Sequence, residues 1–169
     1  MKTSQVVPEG RLAEVVKGFV FTSTLDEAWP APIPRLNRLA VAGHCGLSVF
    51  TEGRVALVAE GDRPLRALPV WSLCGPRRRA VTCMNLGPVR TVEVLFHPEA
   101  FALLTGVSSS SLMDSDCRAA ERLPADWSVW PAALAARADN PAAQQAWMEA
   151  FLAPRWEAVR PSRERASGD

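Results

Sequence analysis

The stretch that decides the fold is Thr91–Gly106, TVEVLFHPEAFALLTG, because its hydrophobic period changes once and separates two unlike halves of the chain. Its first part places Val92, Val94 and Phe96 on one face, which predicts a half-buried strand. Pro98 suits the first turn of a helix, where its missing N–H costs nothing, and Gly106 can supply a left-handed C-cap. The stretch therefore predicts a strand, a tight corner and a short helix.

Upstream of this stretch the sequence predicts short antiparallel strands separated by turn residues. The predicted strands are 19–24, 38–41, 46–51, 54–59, 65–74 and 80–86, after a short helical turn at 11–17. Glu52-Gly53 is a two-residue hairpin signal, because glycine can adopt the positive φ of a primed turn. Trp29–Pro34 contains three prolines and predicts a rigid extended connector. About seven short strands with no helix between them favour a closed barrel or a double-sheet jelly roll.

Downstream the pattern is helical. Asp126 or Ser128 can cap a helix that carries Trp127, Trp130 and Leu134 on one stripe. Asn140-Pro141 is the start signal of a second helix, which Pro154 and Pro161 are expected to end or kink. The predicted class is therefore α+β, a β-barrel followed by a helical pair. The predicted segments are a lead-in at 1–10, a barrel at 11–97, packed helices at 98–160 and a linker or tail at 161–169.

Composition excludes several classes of function. Nineteen Lys+Arg against eighteen Asp+Glu give a net charge of +1, so no overall field attracts nucleic acid or acidic lipid. The sequence shows neither an export signal nor an apolar run long enough to cross a membrane, which makes the cytoplasm the expected compartment. The four cysteines form no CxxC pair, and we interpret them as reduced thiols.

Motifs for catalysis are not evident in the sequence. It contains no nucleophile elbow, phosphate-binding glycine loop or zinc-protease signature. Its two histidines, His44 and His97, are isolated from each other, whereas a metal-dependent barrel is expected to place histidines and a carboxylate close together. The sequence therefore predicts no catalytic residue, no metal site and no cofactor.

Three short features have a structural and a functional interpretation. His44-Cys45 is either a surface histidine beside a buried cysteine, or part of a thiol sensor that uses Cys45 with Cys74 or Cys83. His97 is interpreted as a corner residue in preference to a base. The run at 77–79, RRR, is interpreted as a solvated turn, with contact to DNA or a partner as the alternative.

An apolar pocket is the remaining candidate site. Trp71 alternates with Leu65, Ala67 and Pro69, so all four are expected on one face of a strand. This face is either core packing or the wall of a small-molecule pocket. The candidate ligand-binding residues are Phe50, Trp71, Met84 and Leu95, together with Cys45 and Cys74.

Three segments carry a resemblance to a known family. They are GHCGLSVFTEG at 43–53, LCGP at 73–76 and VEVLFHPEAFALLTGVSSSSLMD at 92–114. Together they resemble the N-terminal sensor domain of AraC-type transcription regulators, and residues 130–156 are similar to the two helices that close that domain. The resemblance covers roughly residues 11–156, and its motifs are short and structural.

The resemblance implies a cupin-like barrel that senses a small-molecule effector and a helical pair that forms a homodimer. The residues assigned to dimerisation are Trp147, Met148, Phe151 and Leu152. It also implies DNA binding through a helix-turn-helix region downstream of residue 169. We therefore interpret the chain as a sensor fragment, with a solitary homologue as the alternative, and expect it not to contact DNA or a membrane itself. The alternatives are a cupin-type metal-dependent enzyme and a thiol-based redox or electrophile sensor.

Overall fold

The computed structural model describes residues 1–27, 35–58 and 66–161. Within these ranges the chain forms two antiparallel sheets followed by helices, which confirms the predicted α+β class. The strands are β1 Lys2–Val6, β2 Val16–Ser23, β3 Arg35–Leu39, β4 Cys45–Glu52, β5 Val55–Val58, β6 Arg66–Ala67, β7 Trp71–Cys74, β8 Val81–Asn85, β9 Arg90–Phe96 and β10 Asp116–Arg118. The α-helices are α1 Pro98–Thr105, α2 Trp130–Ala135 and α3 Pro141–Val159.

The two sheets have separate edges, so the closed barrel was wrong for the described ranges. The six-stranded sheet has the order β1-β2-β9-β4-β7-β10, and the four-stranded sheet the order β3-β8-β5-β6. The predicted hairpin at Glu52-Gly53 was also wrong, because β4 pairs with β7 and β9 whereas β5 pairs with β6 and β8. Gly53 has a φ of 75°, and a Cβ there would lie 2.1 Å from the Pro88 carbonyl oxygen. The turn is therefore a tight corner that carries the chain from one sheet to the other.

The stretch Thr91–Gly106 folds as predicted. β9 pairs with β2 on one side and β4 on the other, so it lies in the middle of the six-stranded sheet. α1 begins at Pro98, and Gly106 has a φ of 74° and donates its N–H to the Ala102 carbonyl. The left-handed cap ends α1 and turns the chain back over the sheet.

One face of the six-stranded sheet forms the main core with the helices. Phe19, Leu47, Val94 and Phe96 on this face are at most 1% exposed, and Phe96 packs on Phe101 of α1 with ring centroids 5.3 Å apart. Above them lies an aromatic cluster in which Trp127 and Trp130 stack at 5.5 Å. We call this face the helical face of the sheet.

Helix boundaries differ from expectation at two places. α2 begins at Trp130 after a 3-10 turn, with Val129 as its N-cap residue, so the predicted cap by Asp126 or Ser128 was wrong. Asn140 caps α3 as predicted, its side chain accepting a bond from the Ala143 N–H at 3.0 Å.

Pro154 lies inside α3, which continues to Val159. The helix continues because the carbonyl left without a partner belongs to Ala150, on the exposed side of α3, where water can bond it. Trp156, 4% exposed, anchors the last turn in the core. Pro154 therefore does not end the helix. The end expected at Pro161 is confirmed, because α3 stops at Val159 with Arg160 as its C-cap residue.

The segment boundaries also shift. β1 occupies the predicted lead-in as an edge strand, and a 3-10 turn at Gly10–Glu14 replaces the predicted helical turn. β10, in the predicted helical segment, returns to the six-stranded sheet beside β7. The connector Trp29–Pro34, the predicted strand residues 59 and 65 and the tail at 162–169 lie outside the described residues. Among the residues that are described, no helix has the length and apolar character needed to cross a membrane.

Candidate functional site

The opposite face of the six-stranded sheet faces the four-stranded sheet, and we call it the inter-sheet face. Phe50 of β4 packs there against Val55, Cys83 and Val89, which form a second, smaller hydrophobic cluster. At the far edge Arg66 donates a hydrogen bond of 2.9 Å to the backbone carbonyl of Asp116. The two sheets therefore enclose a layer separate from the helical core.

This layer contains the candidate site, an inter-sheet polar cluster formed by Ser48, Cys74, Arg77, Glu93 and Asp116. Strand register assembles it. Ser48 lies directly opposite Glu93, and Cys74 lies opposite both Gly46 and Asp116. Because side chains alternate along a strand, these positions all project to the inter-sheet face.

Gly46 lies directly beneath the Cys74 and Glu93 side chains of the cluster. A Cβ at this position would lie 2.7 Å from both the Cys74 sulfur and the Glu93 Oε1 atom. The thiol and the carboxylate therefore converge over a backbone position that has no side chain. Any larger residue at position 46 would displace them.

Arg77 and Asp116 form a buried ion pair, with side chains 7% and 6% exposed. The Arg77 loop is held by a backbone bridge to Ala42, in which the Arg77 N–H donates at 2.7 Å and its carbonyl accepts at 3.1 Å. Burial lowers the pKa of the Arg77 guanidinium, but the charge of Asp116 and the neighbouring Cys74 side chain outweigh this and raise it. The two charges therefore neutralise each other inside the protein.

Glu93 is in a different position. The Ser48 side chain hydrogen-bonds its carboxylate, and burial raises the pKa of Glu93 because the charged form loses water. Arg77 opposes this rise through its charge, without a hydrogen bond to the carboxylate. Among the described residues no cationic side chain forms an ion pair with Glu93. The cluster therefore holds one carboxylate beyond its internal ion pair.

The cysteines are poor nucleophiles in this environment. Burial raises the pKa of Cys74 to about 12 and that of Cys45 to about 11. Burial also raises the pKa values of Cys83 and Cys117. Since the thiolate is the reactive form, little of it is present at neutral pH, and the geometry does not favour a thiol sensor.

The predicted ligand-binding residues do not share one face. Phe50, Leu95 and Cys74 lie on the inter-sheet face, and Phe50 and Leu95 are partly buried there. Cys45 and Trp71 lie on the helical face, within the main core. The interpretation of Trp71 as core packing is confirmed, whereas its expected alternation with Ala67 on one strand was wrong, because β6 and β7 belong to different sheets.

Met84 also lies away from this layer. Its neighbour on β8, Cys83, is 6% exposed and belongs to the inter-sheet cluster of apolar residues, so Met84 projects to the other side. It pairs across β3 with Leu36, which is 60% exposed. A single pocket lined by Met84 and Trp71 is therefore excluded by the fold.

The residues assigned to dimerisation divide into two pairs. Met148 and Leu152 are 0% exposed within the chain, so contact with a second chain through them was wrong. Trp147 and Phe151 are partly buried, and their rings stack at 5.5 Å. Arg155 covers Phe151 at 3.6 Å from the ring centroid. Of these four residues, Trp147 and Phe151 retain surface that another chain can reach.

The other features have structural explanations. His97 forms the corner before α1, where its N–H bonds the Val15 carbonyl. His44 is half-buried, and burial together with Lys17 and Arg77 lowers its pKa. The interpretation of residues 77–79 as a solvated turn was wrong for Arg77 and holds for Arg78, whose side chain is 75% exposed and pairs with Asp114.

Sequence reasoning missed Ser48, Glu93, Arg77 and Asp116 as members of one site. The only signal at Glu93 was a carboxylate between Val92 and Val94, on the face opposite the core positions of the strand. Asp116 gave no signal, since it belongs to a strand of three residues in a segment of ambiguous pattern. In the described parts of the chain, no group of three or more His, Cys, Asp or Glu side chains has the geometry to hold a metal ion.

Comparison with known proteins finds no matching protein-family model, no matching curated sequence and no matching solved structure. The candidate site is therefore interpreted from its own geometry and chemistry.

Proposed function

We propose that this chain is the ligand-sensing and dimerisation domain of an AraC-type transcription regulator, located in the cytoplasm. In this proposal the domain binds a small-molecule effector and performs no catalytic step. Contact with DNA is assigned to a downstream helix-turn-helix region, as the sequence resemblance implies.

The observation that carries the proposal is the inter-sheet polar cluster. A domain of this size stabilises itself through its apolar core, and the helical face of the six-stranded sheet supplies that core here. A second layer with a buried ion pair, a carboxylate and a hydroxyl costs desolvation free energy without enlarging that core. Convergent polar groups beside an apolar wall are typical of small-molecule sites.

The dimerisation part of the proposal is supported by α3. The partly exposed Trp147 and Phe151 lie next to exposed alanines on the same helix, including Ala150. Aromatic side chains are enriched at the centres of interfaces, where they bury large apolar areas. A symmetric contact between two copies of α3 would remove these rings from water.

Ligand binding can be tested by thermal unfolding against a library of sugars, amines, carboxylates and aromatic metabolites. We expect at least one chemical class to raise the melting temperature of the unmodified chain. Ser48→Met should abolish this rise because it fills the inter-sheet face, whereas Ser128→Met, a change at an exposed serine, should leave it intact. A library without any stabilising compound, or a rise that persists in Ser48→Met, would contradict the proposed site.

Dimerisation can be tested by sedimentation equilibrium over a range of concentrations. We expect a mass of two chains for the unmodified protein and for Ala120→Glu, a change at an exposed alanine outside α3. Ala150→Glu should give a mass of one chain, because it places a charge beside Trp147 and Phe151. A single-chain mass for the unmodified protein at every concentration would refute this part.

A further inference from the structure

We infer that the inter-sheet polar cluster binds an organic cation, an ammonium or guanidinium group joined to a small apolar body, with Glu93 as its counter-ion. This inference rests on the proposed function and names the class of effector for the same site. It follows from the charges of the cluster, the surroundings of Glu93 and the distance from Glu93 to Phe50.

The charge balance of the cluster points to a cation. Arg77 and Asp116 are both less than one-tenth exposed and satisfy each other. Arg77 also lies close enough to the Cys74 thiol for its charge to act on it. Asp116 is also approached by Arg66, whose Nη2 atom lies 3.9 Å from the carboxylate on a side chain that is 55% exposed. Glu93 is thus the carboxylate of the cluster with which no cationic side chain among the described residues forms an ion pair.

The surroundings of Glu93 favour a ligand that brings a positive charge. Its carboxylate bonds the Ser48 side chain and lies beside the Cys74 thiol, both of which are neutral. A carboxylate held away from water is costly unless a cation compensates it, and burial correspondingly raises the pKa of Glu93. An ammonium group at this position would replace the missing water and form a charge-assisted hydrogen bond.

The apolar part of the ligand is indicated by Phe50. Phe50 lies opposite Thr91, and Glu93 lies opposite Ser48, so Phe50 and Glu93 are diagonal neighbours on the same face. Diagonal neighbours on adjacent strands are about 7–8 Å apart. A ring separated from an amine by two or three carbon atoms spans this distance, and it would pack against Phe50 while its nitrogen meets Glu93.

Other classes of ligand fit less well. An anion would approach the Glu93 carboxylate, and the guanidinium that could attract it is already paired with Asp116. A neutral polyol could bond Ser48 and Glu93 but would leave the carboxylate charge uncompensated. The cation therefore accounts for a charge that the other two classes leave unexplained.

The test compares three probes of nearly equal shape, 2-phenylethylamine, 2-phenylethanol and 3-phenylpropionate, by calorimetry and ligand-observed NMR. We expect the amine to bind about tenfold or more tightly than the alcohol, the size of one charge-assisted hydrogen bond. Glu93→Gln should remove that preference while retaining the bond to Ser48. Glu99→Gln, the same change at an exposed glutamate, should retain the preference.

Folding of the variant is checked independently. Glu93→Gln removes a partly buried charge and keeps the side-chain shape, so its melting temperature should equal or exceed that of the unmodified chain. Equal binding of amine and alcohol, tighter binding of the propionate, or an unchanged preference in Glu93→Gln would each overturn the inference. If the amine fails while another library class binds in a Ser48-dependent manner, the sensing function stands and the cation is refuted; if no class binds, both fail.

Discussion

The buried ion pair of Arg77 and Asp116 provides the sharpest test of the site. Arg77→Gln removes the guanidinium and leaves the Asp116 carboxylate, 6% exposed, without its partner. Breaking a buried pair on one side costs about 3–5 kcal/mol, because an uncompensated charge remains in the interior. Arg66 offers little relief, since its Nη2 atom is 3.9 Å from the Asp116 carboxylate and its side chain is 55% exposed.

The neighbouring residue is a matched control. Arg78 pairs with Asp114 at 2.8 Å, but its side chain is 75% exposed. Arg78→Gln is the same chemical change one residue along, and a solvent-screened pair contributes little to stability. We therefore expect Arg78→Gln to unfold close to the unmodified protein.

The free energy of unfolding of both variants can be measured by urea unfolding followed by tryptophan fluorescence. A loss of about 3–5 kcal/mol in this free energy also corresponds, for a chain of this length, to a melting temperature lower by roughly 6–20 °C on heating. The m-value should stay constant if both variants unfold as the parent does. Unfolding midpoints of Arg77→Gln and Arg78→Gln that coincide would refute the argument that burial sets the strength of this pair.

Three further changes test individual parts of the fold. Gly53→Ala should cost more than the roughly 1–2 kcal/mol of left-handed strain, because its Cβ would lie 2.1 Å from a backbone carbonyl. Gly106 is also at positive φ, but an added Cβ there meets no described atom within 4 Å, so Gly106→Ala should cost only the strain. Equal losses of unfolding free energy for Gly53→Ala and Gly106→Ala, measured in urea, would contradict the clash. Cys74 should react slowly with a thiol reagent at neutral pH and faster as the pH rises, because burial raises its pKa to about 12; labelling at the rate of the unfolded chain would show that it is accessible. Asn140→Ala should lower the free energy of unfolding by about 1 kcal/mol because it removes the α3 cap. Asp139→Ala changes a neighbouring side chain that is 90% exposed and serves as the control. A loss of stability in Asn140→Ala no larger than that in Asp139→Ala, measured by calorimetry, would contradict the capping role.

Local chemistry predicted the parts of the chain that depend on near neighbours. The strand, corner and helix of Thr91–Gly106 follow from alternation, from Pro98 and from the glycine cap, and the structure confirms each of them. The Asn140 cap likewise depends only on a side chain and an N–H three residues away. Such signals can be read from the sequence because the two groups that form each capping hydrogen bond are only a few residues apart.

The candidate site was less accessible to prediction. Its members come from β4, β7, β9, β10 and the loop after β7, and their meeting depends on strand order and register. Arg77 and Asp116 are separated by 39 residues, and nothing near either one in the sequence indicates a buried partner. Trp71 packs in the main core, as one of its two interpretations predicted, but it does not share a strand with Ala67, since β6 and β7 belong to different sheets.

The sequence by itself determined the α+β class, the central strand and corner at Thr91–Gly106, and the cap of α3, because hydrophobic period and backbone conformation are local properties. Only the tertiary structure decided that the strands divide into two sheets, that α3 buries Met148 and Leu152, and that Glu93 stands beside a neutralised Arg77–Asp116 pair. These features depend on which strands become neighbours. Strand pairing is set by burial of the whole apolar surface at once, which no single stretch of sequence specifies.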